Sequence, residues 1–119
     1  MKAIQLKKTV LDIPFEENGK TVLTLHFDRS DDNRKRFYGL FKEMQGVIDN
    51  LSDDASVDEQ ISIVKRLADG ILGDGAFDKM YNLNQSVLIV AQYLFQIAIG
   101  IKEELEAEDL KAVEDKYLS

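Results

Sequence analysis

The chain has 119 residues and a mass of 13.5 kDa, of which 45% are hydrophobic and 31% are charged. This length and balance predict one folded domain, residues 1–119, with its own core. Its 22 acidic and 15 basic residues give a net charge of −7, which argues against a general nucleic-acid binder and against docking on an anionic membrane surface. With no cysteine and one histidine, disulfides, a thiol nucleophile and the usual zinc ligand sets are excluded.

No targeting or membrane-spanning segment is predicted. Residues 1–8 lack the long apolar core of a signal peptide. The most apolar window, residues 87–101, is interrupted by Gln92 and Gln96 and is shorter than the roughly 20 apolar residues of a bilayer span. We therefore expect a cytoplasmic protein.

Residues 1–28 are predicted to form a β-hairpin, because two segments with alternating apolar residues flank an Asn-Gly pair. A three-residue loop over residues 17–19 places Ile13 opposite Leu23 and Leu11 opposite Leu25. Pro14 lacks a backbone donor, so its strand is expected to be an edge or to carry a bulge. Upstream, Ile4 and Leu6 either extend the first strand or form a third. The predicted apolar face comprises Leu11, Ile13, Phe15, Leu23, Leu25 and Phe27.

Residues 29–119 are predicted to be helical. Apolar residues at three- and four-residue spacing indicate a first helix over residues 31–51. Ser56 and Glu59 form a capping box for a second helix, which is expected to stop within residues 70–75 and to be followed by a short turn at residues 76–81. A third helix is predicted at about residues 84–105, and the charged tail either extends it or forms a separate helix.

The third predicted helix is apolar around almost its whole circumference. Only Gln85, Gln92 and Gln96 form a narrow polar stripe. In so short a chain, such a helix is either the central element of the core or is covered by a second molecule.

The sequence contains no recognisable catalytic, metal or cofactor site. His26 lies in a predicted strand without an assignable catalytic partner, and the glycine-rich residues 70–78 lack the Gly-Lys-Ser/Thr ending of a P-loop. The segment does not fit a calcium loop either, because the third and fifth positions counted from Asp69 are Ile71 and Gly73, which have no side-chain oxygen. Acidic residues in the tail are typical of a solvated helix face, with mimicry of nucleic acid as the alternative. We therefore expect no enzyme activity and no cofactor.

The order of these elements resembles a known family. A hairpin with an Asn-Gly turn precedes a helix that begins at Asp31-Asp32-Asn33-Arg34-Lys35-Arg36-Phe37, and a Gly-x-Phe-Asp-x-x-Tyr segment (residues 75–81) precedes a very apolar helix and an acidic tail. The chain is similar in this respect to the small tail assembly chaperones of long-tailed bacteriophages, especially those of Gram-positive hosts and their prophages.

This resemblance implies a non-enzymatic role. Such chaperones have an α+β fold, tend to self-associate, bind the tape-measure protein, keep its apolar helices soluble and help tail-tube subunits to polymerise around it. They act in the cytoplasm of the host and are absent from the finished virion. A longer frameshifted product is common in the family.

We therefore predict an α+β fold, with a small N-terminal antiparallel sheet packed on three to four helices. The leading hypothesis is a tail assembly chaperone whose partners are the tape-measure protein, possibly the tail-tube protein and further copies of itself. The alternative is a small acidic inhibitor or nucleic-acid mimic, such as an anti-restriction or antitoxin-like protein. The predicted protein-binding residues are Phe77, Met80, Tyr81, Leu88, Ile89, Tyr93, Phe95 and Ile99.

Overall fold

The computed structural model of the chain describes residues 1–48 and 55–118. Over these residues it has an α+β fold, in which one antiparallel hairpin precedes four helices, as predicted. The predicted end of the first helix at Leu51 lies outside the described residues. The elements are β1 (Val10–Glu17), β2 (Lys20–Asp28), α1 (Asp31–Ile48), α2 (Val57–Leu72), α3 (Ala76–Leu83) and α4 (Val87–Leu118).

The hairpin turns over two residues, not over the three that were predicted. Glu17 pairs with Lys20, and the two residues between them, Asn18 and Gly19, have φ of 54° and 79°. Positive φ at both central positions is the requirement of a type I′ turn, which Asn-Gly satisfies.

A bulge in β2 corrects the register that this short turn would otherwise impose. Glu16 pairs with Thr21 and Phe15 with Leu23, so Val22 is the extra residue. The predicted register was therefore wrong by two residues, because Ile13 pairs with Leu25 and not with Leu23. The predicted grouping is nevertheless confirmed, because the bulge returns all six apolar residues to one face, where they are buried or half-buried.

The ends of α2 follow from local sequence. The Ser56 hydroxyl accepts a hydrogen bond from the backbone N–H of Glu59 at 3.2 Å, as the predicted capping box requires. The helix ends at Leu72 because Gly73 takes a positive φ of 98°, a conformation that favours glycine.

The segment predicted to be a short turn, residues 76–81, is the helix α3. An Asp69 carboxylate oxygen, near the end of α2, accepts the backbone N–H of Phe77 at 2.9 Å. This bond satisfies one of the backbone donors that a helix start leaves free. The spacing of Phe77 and Met80 places both on the side of α3 that faces the core, where both are buried.

The last helix, α4, begins three residues after its predicted start at residue 84 and continues through the charged tail. The tail is therefore an extension of the helix and not a separate one. At 1.5 Å per residue its 32 residues span roughly 48 Å.

One face of α4 forms the centre of the core. Its buried residues recur every three or four positions and pack with buried residues of β2, α1, α2 and α3. The hairpin contributes an edge-to-face contact between Phe27 and Phe37, whose ring centroids are 5.6 Å apart. The buried row of α4 comprises Val87, Val90, Leu94, Ala98, Ile101 and Leu105.

Candidate protein-binding surfaces

A second row of apolar side chains on α4 faces solvent, and we call it the outer row. Leu88, Phe95 and Ile99 expose 55%, 38% and 37% of their surfaces. Their separations of seven and four residues place all three on one side of the helix. Gln92 and Glu103 continue this side and are exposed. The outer row is thus an uncovered apolar stripe that ends in acidic residues.

The predicted binding residues divide into three groups. Leu88, Phe95 and Ile99 form the outer row. Ile89 and Tyr93 are half-buried on another side of α4, and Tyr93 makes an edge-to-face contact with Phe15, with ring centroids 5.7 Å apart.

The third group lies on α3, and its prediction as surface is largely wrong. Phe77 and Met80 are buried in the core because their segment is an amphipathic helix. Tyr81 is half-buried beside the Phe77 ring at a centroid distance of 5.3 Å. These side chains support the fold, and a partner would reach only part of Tyr81.

Sequence reasoning did not anticipate a groove between β1 and α4. It has a volume of about 470 Å³ and combines apolar side chains of both elements with two carboxylates, Asp12 and Glu104. Residues from both faces of β1 line it, so it opens along the edge of that strand. Its residues are Leu11, Asp12, Ile13, Pro14, Phe15, Tyr93, Gln96, Ile97, Gly100, Ile101 and Glu104.

Gly100 is the one sequence signal that could have indicated this groove. A Cβ atom built at Gly100 would have no neighbour within 4 Å. The small residue therefore leaves space between the helix and β1. It lies roughly a third of the way around α4 from the outer row, so the groove and the outer row are separate surfaces.

The charged groups at the hairpin form a chain on its solvent face. One Asp12 carboxylate oxygen accepts from Lys8 Nζ, and the other contacts His26 Nδ1, both at 2.9 Å. The hydrogen bond from Lys8 and then that from His26 lower the pKa of Asp12 below its usual value. His26 thus has a surface carboxylate as its partner, in an exposed arrangement.

Arg29 joins three parts of the molecule at the base of the hairpin. Its guanidinium donates to the carbonyl oxygens of Lys8 and Thr9 and lies 3.4 Å from a carboxylate oxygen of Glu108 on α4. This contact and the Phe15–Tyr93 contact show that β1 and α4 run side by side in opposite directions.

Among the described residues, no group of three His, Cys, Asp or Glu side chains could hold a metal ion. Within the same part of the chain, no helix combines the length and the hydropathy of a bilayer span. Comparison with protein-family models, with curated proteins and with solved structures gave no match.

Proposed function

We propose that this protein is a phage tail assembly chaperone that binds the tape-measure protein, keeps it soluble and assists polymerisation of the tail tube. The observation that carries the proposal is the outer row of α4. An apolar helix of a client would cover this row by helix-to-helix packing, as amphipathic partners do in other recognition complexes. The resemblance of the sequence to tail assembly chaperones supplies the identity of the client.

The spacing of the outer row suits a helical client. Leu88 and Phe95 are seven residues apart, which is two helical turns, and Ile99 lies one turn further. Three large side chains along about three turns provide anchors of the kind that helix recognition uses. Gln92 between them offers an amide for the polar groups of the client.

The charge of the chain supports the second part of the role. A chaperone that carries an apolar client must itself stay dispersed, and a net charge of −7 on 119 residues favours this through repulsion between complexes. The exposed Glu103, Glu104 and Glu106 place part of that charge directly beyond the outer row.

The proposal is tested by co-expression with the tape-measure protein encoded by a neighbouring gene. We expect the tape-measure protein to be insoluble alone and soluble in a complex with this chain. Ile99→Asp should retain the circular dichroism spectrum and melting temperature of the wild type but lose at least about 90% of the complex, because a buried unpaired carboxylate costs more than one tenfold step in affinity.

Val22→Asp is the matched control, since Val22 is also an exposed apolar residue but lies on the hairpin. It should bind the client like the wild type. Failure of the wild-type chain to form a complex, or equal loss of binding in both variants, contradicts the proposal. Unfolding of Ile99→Asp places Ile99 in the core, and then Phe95→Asp tests the row.

The acidic-inhibitor function is the second candidate, and the exposed carboxylates of α4 favour it. Two of them already have cationic partners, since Glu106 lies 3.4 Å from Lys102 Nζ and Glu108 lies the same distance from Arg29. A nucleic-acid mimic needs its carboxylates free for a basic partner. Its complex would also weaken steeply with salt, whereas an apolar client complex would not.

A further inference from the structure

The first eight residues, which we call the N-terminal arm, have a composition unlike that of the rest of the chain. They contain three lysines and no acidic residue, although the whole chain has a net charge of −7. Ile4 and Leu6 expose 80% and 95% of their surfaces. The arm therefore presents alternating apolar side chains and positive charge to solvent.

The arm leaves the molecule from a fixed point. The Thr9 carbonyl accepts the backbone N–H of Arg29 at 2.8 Å, and the Arg29 guanidinium binds the carbonyls of Lys8 and Thr9. These bonds hold the base of the arm against the hairpin.

The outer edge of β1 has backbone groups available for another strand. In an antiparallel pair, successive residues alternate between facing the partner strand and facing away from it. Because Thr9 bonds to Arg29 in the same register as the hairpin, Val10, Asp12 and Pro14 direct their backbone groups away from β2. Pro14 has no N–H, and its presence at an outward position is consistent with an edge strand.

We propose that the N-terminal arm of one copy docks in the groove between β1 and α4 of a second copy, beside the free edge of β1. Ile4 and Leu6 would enter the groove among its apolar residues, and Lys2 and Lys7 of the arm would face Glu104, since Asp12 already binds Lys8 and His26 of its own chain. Eight extended residues span roughly 26 Å, which exceeds the roughly 16 Å of β1 that lines the groove.

The sequence disfavours docking of the arm in the groove of its own molecule. The arm is continuous with β1, and residues 1–9 contain no Gly, Pro, Asn or Asp to reverse the chain. We therefore assign the docked arm to another copy. Arm exchange of this kind is a low-cost route to self-association.

The absence of cysteine from the chain allows a direct test in the full-length protein. Chains with Leu6→Cys and chains with Gly100→Cys, carrying different tags, are mixed and oxidised. We expect a disulfide between the two kinds of chain. Leu6→Cys mixed with Gly39→Cys is the control, because Gly39 is an exposed helix position on α1, and this mixture should give at least about tenfold less mixed disulfide.

A second measurement follows the mass in solution by light scattering. The double variant Ile4→Ser/Leu6→Ser and the groove variant Gly100→Phe should each weaken self-association at least about tenfold, because the first removes apolar contact in the groove and the second fills the space that the arm would occupy. Val22→Ser and Gly39→Phe are the matched controls and should associate like the wild type.

The proposal is overturned if the wild-type chain is monomeric at all accessible concentrations, or if the arm variants leave its mass unchanged. It is equally overturned if a Leu6→Cys/Gly100→Cys double variant closes a disulfide within a monomer, since the arm would then bind its own groove. The groove and the outer row lie on different sides of α4, so loss of self-association and loss of client binding are separable results.

Discussion

The buried row and the outer row of α4 have the same chemistry but different surroundings. Both consist of apolar side chains at helical spacing, yet Leu94 is covered by the other elements of the fold and Leu88 is more than half exposed. The hairpin and the other three helices cover the buried row. The comparison teaches that the apolar circumference of this helix exceeds what one copy of the chain can bury.

The largest expected effect comes from making the same substitution, leucine to alanine, in each of the two rows. Leu94→Ala should lower the free energy of unfolding by about 2–5 kcal/mol, because it removes a buried side chain and leaves a cavity. Leu88→Ala should change it by less than about 1 kcal/mol. Urea denaturation followed by circular dichroism measures both, and equal losses would show that Leu88 is also part of the core.

A smaller effect comes from adding volume to each row. Ala98 is fully buried, so Ala98→Leu should destabilise the fold by about 1–3 kcal/mol through overpacking. Gln92→Leu extends the outer row into solvent and should change stability by no more than about 0.5 kcal/mol while strengthening binding of the client. Melting temperatures and the co-expression test described above measure the effects of the two substitutions. A destabilising Gln92→Leu would contradict the assignment of this side of α4 as exposed to solvent.

The smallest effect sharpens the comparison through pH. Neither Leu88 nor Leu94 titrates, so the difference in free energy of unfolding between their alanine variants should be the same at pH 7 and pH 5.

Glu43 on α1 binds Arg66 on α2, and this hydrogen bond lowers the pKa of Glu43 below its ordinary value of 4.5.

A carboxyl group with a lowered folded-state pKa stabilises the fold above its unfolded pKa, and this contribution is lost as the pH falls through the folded pKa. Glu43→Gln should therefore be slightly less stable than the wild type from pH 8 to about pH 5, and the difference should shrink in more acid solution. Because both side chains are largely exposed, added salt should reduce it as well. If the stability difference between the wild type and Glu43→Gln grows in acid solution, the Glu43–Arg66 pair is not its cause.

The sequence predicted the fold correctly where a short motif determines the local structure. Ser56 and Glu59 marked the start of α2 correctly, and the alternation of Leu23, Leu25 and Phe27 identified the buried face of the hairpin. Both signals depend only on neighbours along the chain, which a sequence displays directly.

The sequence did not predict local structure that depends on contacts between residues that are separated along the chain. At the start of α3 the Asp69 side chain, eight residues earlier in the chain, accepts the Phe77 N–H, and the sequence pattern of a turn did not reveal this cap. Phe77 and Met80 were therefore assigned to the surface instead of the core. The groove was missed for the same reason, since it exists only where β1 passes beside Gly100.

The bulge at Val22 has a consequence for comparing this chain with distant relatives. With the Asn-Gly turn unchanged, removal of this one residue would leave Thr21 and Leu23 adjacent and opposite Glu16 and Phe15, the partners they already have. A relative with a β2 one residue shorter would therefore have the same inward face and the same hairpin. An alignment that allows a single gap at this position would detect kinship that a gapless comparison of the strand overlooks.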